Sequence, residues 1–354
     1  MNEAQLDVLA RRILACPSCR ESLEFAGAVS CGGCEIDYEV MGSSVNFIGS
    51  QSDFSLPEPV IAKRLLDNLD AVVAELSLLE SSHGNERKSE EILNRLGGLL
   101  GGLRSDEAAQ VISSIPIGQI LNDLTHLSGR AAAPPPAGTH KFLRDNFSSE
   151  QNAIVLDAGC SVSRHLLEVP NSSAYLVGLD VSTLSLCIGA EAWSRTQSKA
   201  PPLWCGGSVL ELPFRNACFT NALSFVVFGH VPLRIALREL HRVLVPGGQL
   251  IFTTEGLGFW QRLWDAAPRF GAARLGLARW WLGYHLLRLG IHWREISWMR
   301  RLAGYMAYSP EILSRTLKEI GFEVEKVEVL RQYEGKPLLL GVVARKSGTD
   351  AVAT

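Results

Sequence analysis

Residues 153–180 constrain the fold of this chain more than any other stretch. Ala153-Ile154-Val155-Leu156 is a short apolar run, and Asp157-Ala158-Gly159-Cys160-Ser161-Val162-Ser163 then turns through small residues into a helix expected over 164–168. An unbroken apolar run of this length is the pattern of a parallel strand covered on both faces. A second run, Tyr175-Leu176-Val177-Gly178-Leu179, ends in Asp180. Strand, tight turn and helix start together offer backbone N–H groups to a nucleotide-like ligand. An acid closing the next strand is placed to accept two ribose hydroxyls.

These residues resemble the first motif of the class I S-adenosylmethionine (SAM) dependent methyltransferases, an apolar strand, an acid and then Gly-x-Gly-x-Gly. Asp157 and Gly159 match, while Ser161 and Ser163 stand at the second and third glycines. The resemblance runs over roughly 153–345 and continues through Gly206-Gly207-Ser208-Val209-Leu210-Glu211-Leu212-Pro213-Phe214 after a third strand, Leu203-Trp204-Cys205. It is closest at Glu239-Leu240-His241-Arg242-Val243-Leu244-Val245-Pro246-Gly247-Gly248, which leads into strand five at 249–254. Strand four is expected over 222–227. A helix begins at Ser309-Pro310-Glu311, with Ser as N-cap and Pro at N1, and stops at Gly321. The last strands are expected at 322–324 and 338–344.

What the resemblance implies is an α/β fold, a doubly wound, mostly parallel, Rossmann-like sheet of seven strands, with ligand at the strands' carboxyl ends. It implies SAM as cofactor, held by Asp157, Gly159, Cys160 and Ser161 at the methionine end. Asp180 and Val181 would take the ribose, Ser208 and Val209 the adenine edge, and Phe225 would line the cleft. His230, just past strand four, is the nearest candidate for a catalytic base. Ser161 fits its place if its φ is negative, and its hydroxyl could bond the SAM carboxylate. Ser163 is the larger change, because the last glycine lets helix and strand pack closely. Ser208 and Thr220 stand where acids are usual. Each lost hydrogen bond is worth about 0.5–1.5 kcal/mol, so two or three would weaken cofactor binding by about tenfold to a thousandfold.

Cys16-Pro17-Ser18-Cys19 and, eleven residues on, Cys31-Gly32-Gly33-Cys34 form two C-x-x-C knuckles. This spacing can place four thiolates tetrahedrally around one Zn²⁺. The reading is a zinc ribbon over 9–50, with small strands at 23–25 and 44–48. A closed four-cysteine site folds the ribbon and does no chemistry. A redox pair is the alternative. The ribbon resembles the small zinc modules fused to, or partnering, several methyltransferases. Cys160, Cys187, Cys205 and Cys218 have no such spacing and read as small core hydrophobes.

Residues 55–128 read as a helical spacer, with Leu65, Leu66, Leu69, Val72, Val73, Leu76 and Leu79 at helical spacing, then Ile92 to Leu100, and a third helix capped at Ser105-Asp106. A Pro/Ala-rich linker spans 129–140, and the methyltransferase-like domain occupies 141–256 and 309–347. Between these two segments, 257–308 is far too long for an ordinary connection. It carries Trp260, Trp264, Trp280, Trp281, Trp293 and Trp298, and eight arginines against Asp265 and Glu295, inside a chain of net charge −3. That composition fits an interfacial helix, a lid over an apolar substrate, an RNA contact, or a hairpin on the sheet with its arginines snorkelling outward.

The net charge and a pI near 6.3 argue against a surface that coats nucleic acid. No secretory signal and no run of eighteen apolar residues is visible, and the paired cysteines suit a reducing compartment, so the cytoplasm is expected. The expected activity is methyl transfer from SAM to a bulky, partly apolar small molecule, lipid-like in one reading, with peripheral membrane contact through 257–308. A non-catalytic scaffold, meeting a partner protein through the spacer, and an RNA methyltransferase are the alternatives.

Overall fold

The computed structural model describes residues 3–25, 28–41, 44–48, 55–81, 86–114, 137–148, 152–170, 174–196, 200–267, 272–295 and 305–348. Trp298, three of the insertion's arginines, residues 115–128 of the expected spacer and residues 129–136 of the expected linker lie outside them.

Helix α1 (Glu3–Ile13) leads into four short strands, β1 (Glu24–Phe25), β2 (Val29–Cys31), β3 (Ile36–Met41) and β4 (Ser44–Asn46). Helices α2 (Glu58–Asp67), α3 (Leu69–Ser81), α4 (Glu86–Leu99) and α5 (Ser105–Ser114) follow, where the leucine spacing had suggested one continuous helix before residue 81; Asn68 breaks it in two. Helix α6 (Ala137–Asn146) starts inside the expected linker. The α/β part is β5 (Ile154–Ala158), α7 (Arg164–Leu167), β6 (Tyr175–Asp180), α8 (Thr183–Thr196), β7 (Leu203–Gly206), β8 (Phe219–Phe225), α9 (Leu233–Val243), β9 (Leu244–Glu255), α10 (Leu257–Ala266), α11 (Ala272–Arg288), α12 (Pro310–Ile320), β10 (Phe322–Tyr333) and β11 (Lys336–Lys346).

The strands form one sheet in the order β1-β2-β3-β4-β7-β6-β5-β8-β9-β11-β10. The seven expected strands are there: β7, β6, β5, β8 and β9 run parallel, and β11 and β10 close the edge antiparallel. Strand order reverses between β5 and β8, which makes their carboxyl ends the switch point where such sheets bind ligands.

At the other edge the ribbon does not stand apart. Its β4 pairs parallel with β7, Val45 opposite Cys205, so the sheet continues through the ribbon to eleven strands. The unpaired backbone of an edge strand is thereby satisfied. Ile13 and Leu14 share one buried core with Phe214, Phe219 and Leu240, and Arg20 donates to the Leu212 carbonyl at 2.6 Å.

The spacer's apolar stripe is used within the chain as well. Ile61, Leu65, Leu66 and Leu69 are buried in one cluster with Leu184 and Ile188 of α8, and Arg195 of α8 pairs with Asp67 at 2.7 Å. Helix α12 ends as its caps dictate: the Ser309 hydroxyl accepts from the Ile312 N–H, and Gly321 takes a left-handed φ of 105°.

Candidate functional site

The wholly buried β5 ends in a turn fixed from below, where the N–H groups of Gly159 and Cys160 both donate to the Leu179 carbonyl, at 2.8 and 2.9 Å. Gly159 has a φ of 79°, and a Cβ there would lie 2.3 Å from the Val227 side chain, so only glycine lets the ends of β5 and β8 approach this closely. Asp180 ties the turn from β6: one carboxylate oxygen accepts from the Ser161 N–H and the other from the Ser182 N–H, both at 2.8 Å. Burial raises its pKa, against these hydrogen bonds, which lower it. The Val181 N–H is a third backbone donor to this carboxylate, which leaves it room for a ligand hydroxyl. Beside it Val181 is 48% exposed, an apolar surface at the mouth of the sheet.

The expectation of a negative φ at Ser161 is overturned. Ser161 has a φ of 51° and Ser163 one of 56°, so both serines take the left-handed conformation that the family's glycines favour. Val226, at the end of β8, has a φ of 62°, an outlier for a β-branched side chain. Three such residues at the carboxyl ends of two neighbouring strands store about 1–3 kcal/mol of strain each, and strain of this kind clusters where ligands bind. The Ser161 hydroxyl is buried and makes no hydrogen bond among the described residues. A buried hydroxyl left for a ligand at the turn fits a carboxylate-bearing cofactor.

The remaining expected residues divide between this edge and the core. Asp157 is wholly buried within β5. Cys160 is buried too, its thiol directed to the Ser161 carbonyl, so it can offer a ligand only backbone. Ser208 follows β7 and accepts from the Leu210 N–H at 3.2 Å, in a small turn beside buried Val209. Phe225 closes β8, and His165 stacks on it at 3.9 Å between ring centroids. Burial, with His140 and Arg164 nearby, pushes His165 down to about 3 and keeps it neutral. Thr220 is at the amino end of β8, bonded to both the N–H and the carbonyl of Ile154. The acid missing there costs the cofactor nothing, because Thr220 is at the far end of the strand.

Across the switch point, around the expected His230, lie residues that the sequence did not single out. Glu255 ends β9 nearly fully buried; burial raises its pKa to about 7, against the hydrogen bond from Tyr305, which lowers it. Its Oε2 is buried and makes no hydrogen bond among the described residues. The Tyr305 ring meets His230 edge-on at 4.5 Å. His230 itself is exposed, its pKa lowered by partial burial of the ring and by Arg294. Arg294, from the insertion, donates to three consecutive carbonyls, Gly229 at 3.1 Å, His230 at 2.7 Å and Val231 at 3.0 Å. Tyr308 donates to the Phe228 carbonyl at 2.9 Å. The insertion thus fixes the loop carrying His230. An acid directly at the end of strand five was a legible signal for Glu255. Nothing local marked Tyr305 or Arg294.

At the opposite edge, the Sγ atoms of Cys16, Cys19, Cys31 and Cys34 all lie within 4.8 Å of one another, with Cys16 and Cys34 at 3.8 Å and Cys19 and Cys31 at 3.4 Å. A Zn–S bond of ~2.3 Å in tetrahedral geometry requires thiolates about 3.8 Å apart. All four are free thiols. Burial raises the Cys16 pKa, but hydrogen bonds from the Tyr38 hydroxyl and the backbone outweigh it and bring the thiol to about 6. The four cysteines could hold one metal ion.

A sheet of this order, with a small-residue turn and an acid closing its first two parallel strands, has the class I methyltransferase fold. Residues 156–252 match the family profile described as a methyltransferase domain. The malonyl-[acyl-carrier protein] O-methyltransferase of Erwinia pyrifoliae is 31% identical over 180 residues, 47% of this chain and 61% of that protein. The sterol 4-C-methyltransferase strm-1 of Caenorhabditis elegans is 24% identical over 113 residues, 32% of this chain and 34% of that one. The matched segments therefore span less than two thirds of these relatives. Among solved structures, geranyl diphosphate C-methyltransferase from Streptomyces coelicolor aligns with a TM-score of 0.43 at 13% identity, over 59% of this chain and 79% of that one. No helix among the described residues is long and apolar enough to cross a membrane.

Proposed function

We propose that this chain transfers a methyl group from SAM to an oxygen, nitrogen or carbon of a bulky, partly apolar small molecule. The observation that carries the reading is the pairing, across one switch point, of a cofactor-type turn (Gly159, Ser161, Asp180) with an acid–base group of buried Glu255, Tyr305 and exposed His230.

Bound at the turn, SAM supplies an electrophilic methyl group. Asp180 would accept the ribose hydroxyls, the Ser161 hydroxyl would donate to the methionine carboxylate, the backbone carbonyls of 159–161 would face the methionine amino group, and Val181, Val209 and Phe225 would offer apolar surface to the adenine. Positioning supplies most of the rate in such a displacement. An acceptor O–H or N–H must also lose a proton. Glu255 at a pKa of about 7 is poised to take it at its unbonded oxygen, with Tyr305 orienting the carboxylate. His230 would line the acceptor side. The Trp-rich insertion, which begins directly after Glu255, supports a large apolar acceptor.

We also assign one structural Zn²⁺ to Cys16, Cys19, Cys31 and Cys34, and a reducing compartment, the cytoplasm, to the protein. With four protein ligands the metal has no open position, so its role is to hold the ribbon.

The test is calorimetric titration of the zinc-loaded full chain with SAM and with S-adenosylhomocysteine. A dissociation constant in the micromolar range or tighter, weakened at least tenfold by Asp180→Ala, is expected. Absence of binding at millimolar ligand would sink the enzyme reading and leave a scaffold built on a strained, non-binding turn.

A further inference from the structure

Helix α11 has two unlike faces. Leu277, Gly283, Tyr284 and Leu287 are turned inward: the Trp260 indole N–H donates to the Leu277 carbonyl at 2.8 Å, and the Trp293 indole N–H to the Gly283 carbonyl at 3.0 Å. A Cβ on Gly283 would lie 2.4 Å from the Trp293 ring, so this face is closed tightly. Trp260 in turn stacks on Trp264 and Trp281, at 5.0 and 4.7 Å.

The outward face is where the chain departs from ordinary surface chemistry. Leu275, Leu282 and Leu289 are 69%, 61% and 76% exposed, and Trp281 is 41% exposed. Seven residues apart, the three leucines fall on one stripe, since an α-helix drifts by only ~20° per seven residues. At about 100° per residue, Arg279 and Leu286 lie beside the stripe on one side. Arg274 lies on the other side, its guanidinium donating to the Trp264 carbonyl at 2.8 Å, and Trp281 and Arg288 are further round the helix. The helix has no acidic residue. An exposed leucine row on a helix whose only charges are the arginines Arg274, Arg279 and Arg288 has the chemistry of a helix lying flat in the headgroup region of an anionic bilayer. A helix whose every charge is positive complements the phosphates of anionic lipid.

We infer that α11 docks this chain onto the surface of an anionic membrane, its leucine row entering the acyl boundary and its arginines meeting lipid phosphates. The inference is independent of the methyl-transfer reading, because it concerns a face that no cofactor residue touches. Since α10 follows Glu255 directly and packs on α11 through Trp260, docking would bring the acceptor end of the sheet near the bilayer.

The experiment is sedimentation of the zinc-loaded full chain with vesicles of phosphatidylcholine alone and of phosphatidylcholine with phosphatidylglycerol in equal parts, at about 0.1 M salt. Three proteins are compared: wild type, Leu282→Glu/Leu289→Glu and Arg279→Glu/Arg288→Glu. All four positions are exposed, so both variants should keep the wild-type circular dichroism and melting temperature. Wild type should pellet with anionic vesicles, with a blue shift of tryptophan fluorescence, and at least tenfold less with phosphatidylcholine alone. Each variant should lose at least tenfold of the anionic partition. The inference fails if wild type ignores anionic vesicles, or if the folded leucine variant pellets as well as wild type. It fails equally if sedimentation velocity shows a wild-type dimer that the leucine variant dissolves while vesicles are ignored, since a second copy would then cover the face.

Discussion

Ser163 and Gly178 are packed so closely that a Cβ added at Gly178 would lie 2.7 Å from the Ser163 hydroxyl oxygen, with the Cys160 sulfur at 3.1 Å and the Trp204 ring at 3.2 Å. The glycine absent from the end of the first motif has its counterpart on the facing strand, where Gly178 makes the room that Ser163 takes. Gly178→Ala should therefore destabilise the fold by about 1–3 kcal/mol. Ser163→Gly should restore much of that loss in the double variant. Denaturant unfolding of the four proteins gives the coupling, expected at about 0.5–3 kcal/mol; additive effects would deny the relationship.

The raised pKa of Glu255 predicts two pH dependences. Methyl transfer to an O–H or N–H acceptor should rise with pH through about 7, as the carboxylate forms. Glu255→Gln should lower the rate by about 10²–10⁴ and abolish that inflection, while SAM affinity stays unchanged. For stability the direction is opposite. The folded state favours the protonated acid, so its contribution is full below the ordinary carboxyl pKa of 4.5 and is lost as pH rises through about 7. Relative to wild type, Glu255→Gln should gain melting temperature at pH 8 and lose that gain by pH 4.5.

Removing metal should be felt far from the cysteines. The ribbon's β4 is hydrogen-bonded to β7, and Ile13 and Leu14 share a core with Phe214 and Leu240. Chelation, or Cys19→Ser at the exposed member of the cluster, should lower the melting temperature of the chain in one transition. Differential scanning calorimetry decides it: a separate early transition with the main one unmoved would show a ribbon that unfolds alone.

Arg294 links the insertion to the loop after strand four. Arg294→Met removes a donor from three buried or part-buried carbonyls, of which Gly229 keeps the Met306 N–H, at a cost of about 2 kcal/mol or more. SAM affinity should hold within about twofold, because the cofactor turn is built from β5 and β6. Methyl transfer should fall, because the His230 loop is no longer fixed. Equal losses in binding and turnover would place Arg294 on the cofactor side instead.

Much of the fold was legible locally. Strands β5, β6 and β7 announce themselves as apolar runs, α12 carries its start in Ser309-Pro310 and its stop in Gly321, and two C-x-x-C knuckles predict a four-thiol cluster. Other elements were blurred by their setting. The last two strands form a long hairpin closed by Glu334 and Gly335, both at positive φ, where only their buried halves read as strand, because edge strand β10 keeps much of its surface in water. Strand β8 lies some residues earlier than its apolar run suggested, since the left-handed turn at Val226 ends it.

The sequence by itself determined what depends on neighbours along the chain: the strand–turn–helix of 153–167, the acid after β6, the caps of α12, the chelating spacing of the cysteines and the arginine excess of the insertion. Only the tertiary structure decided the signs and meetings. It put Ser161 and Ser163 in the left-handed region, since φ is set by how tightly the ends of β5, β6 and β8 converge. It joined β4 to β7, since backbone pairing at a sheet edge carries no side-chain code. It also brought Glu255 beneath Tyr305 across fifty residues, because burial, which raises that carboxyl towards neutrality, belongs to the packed core and to no residue alone.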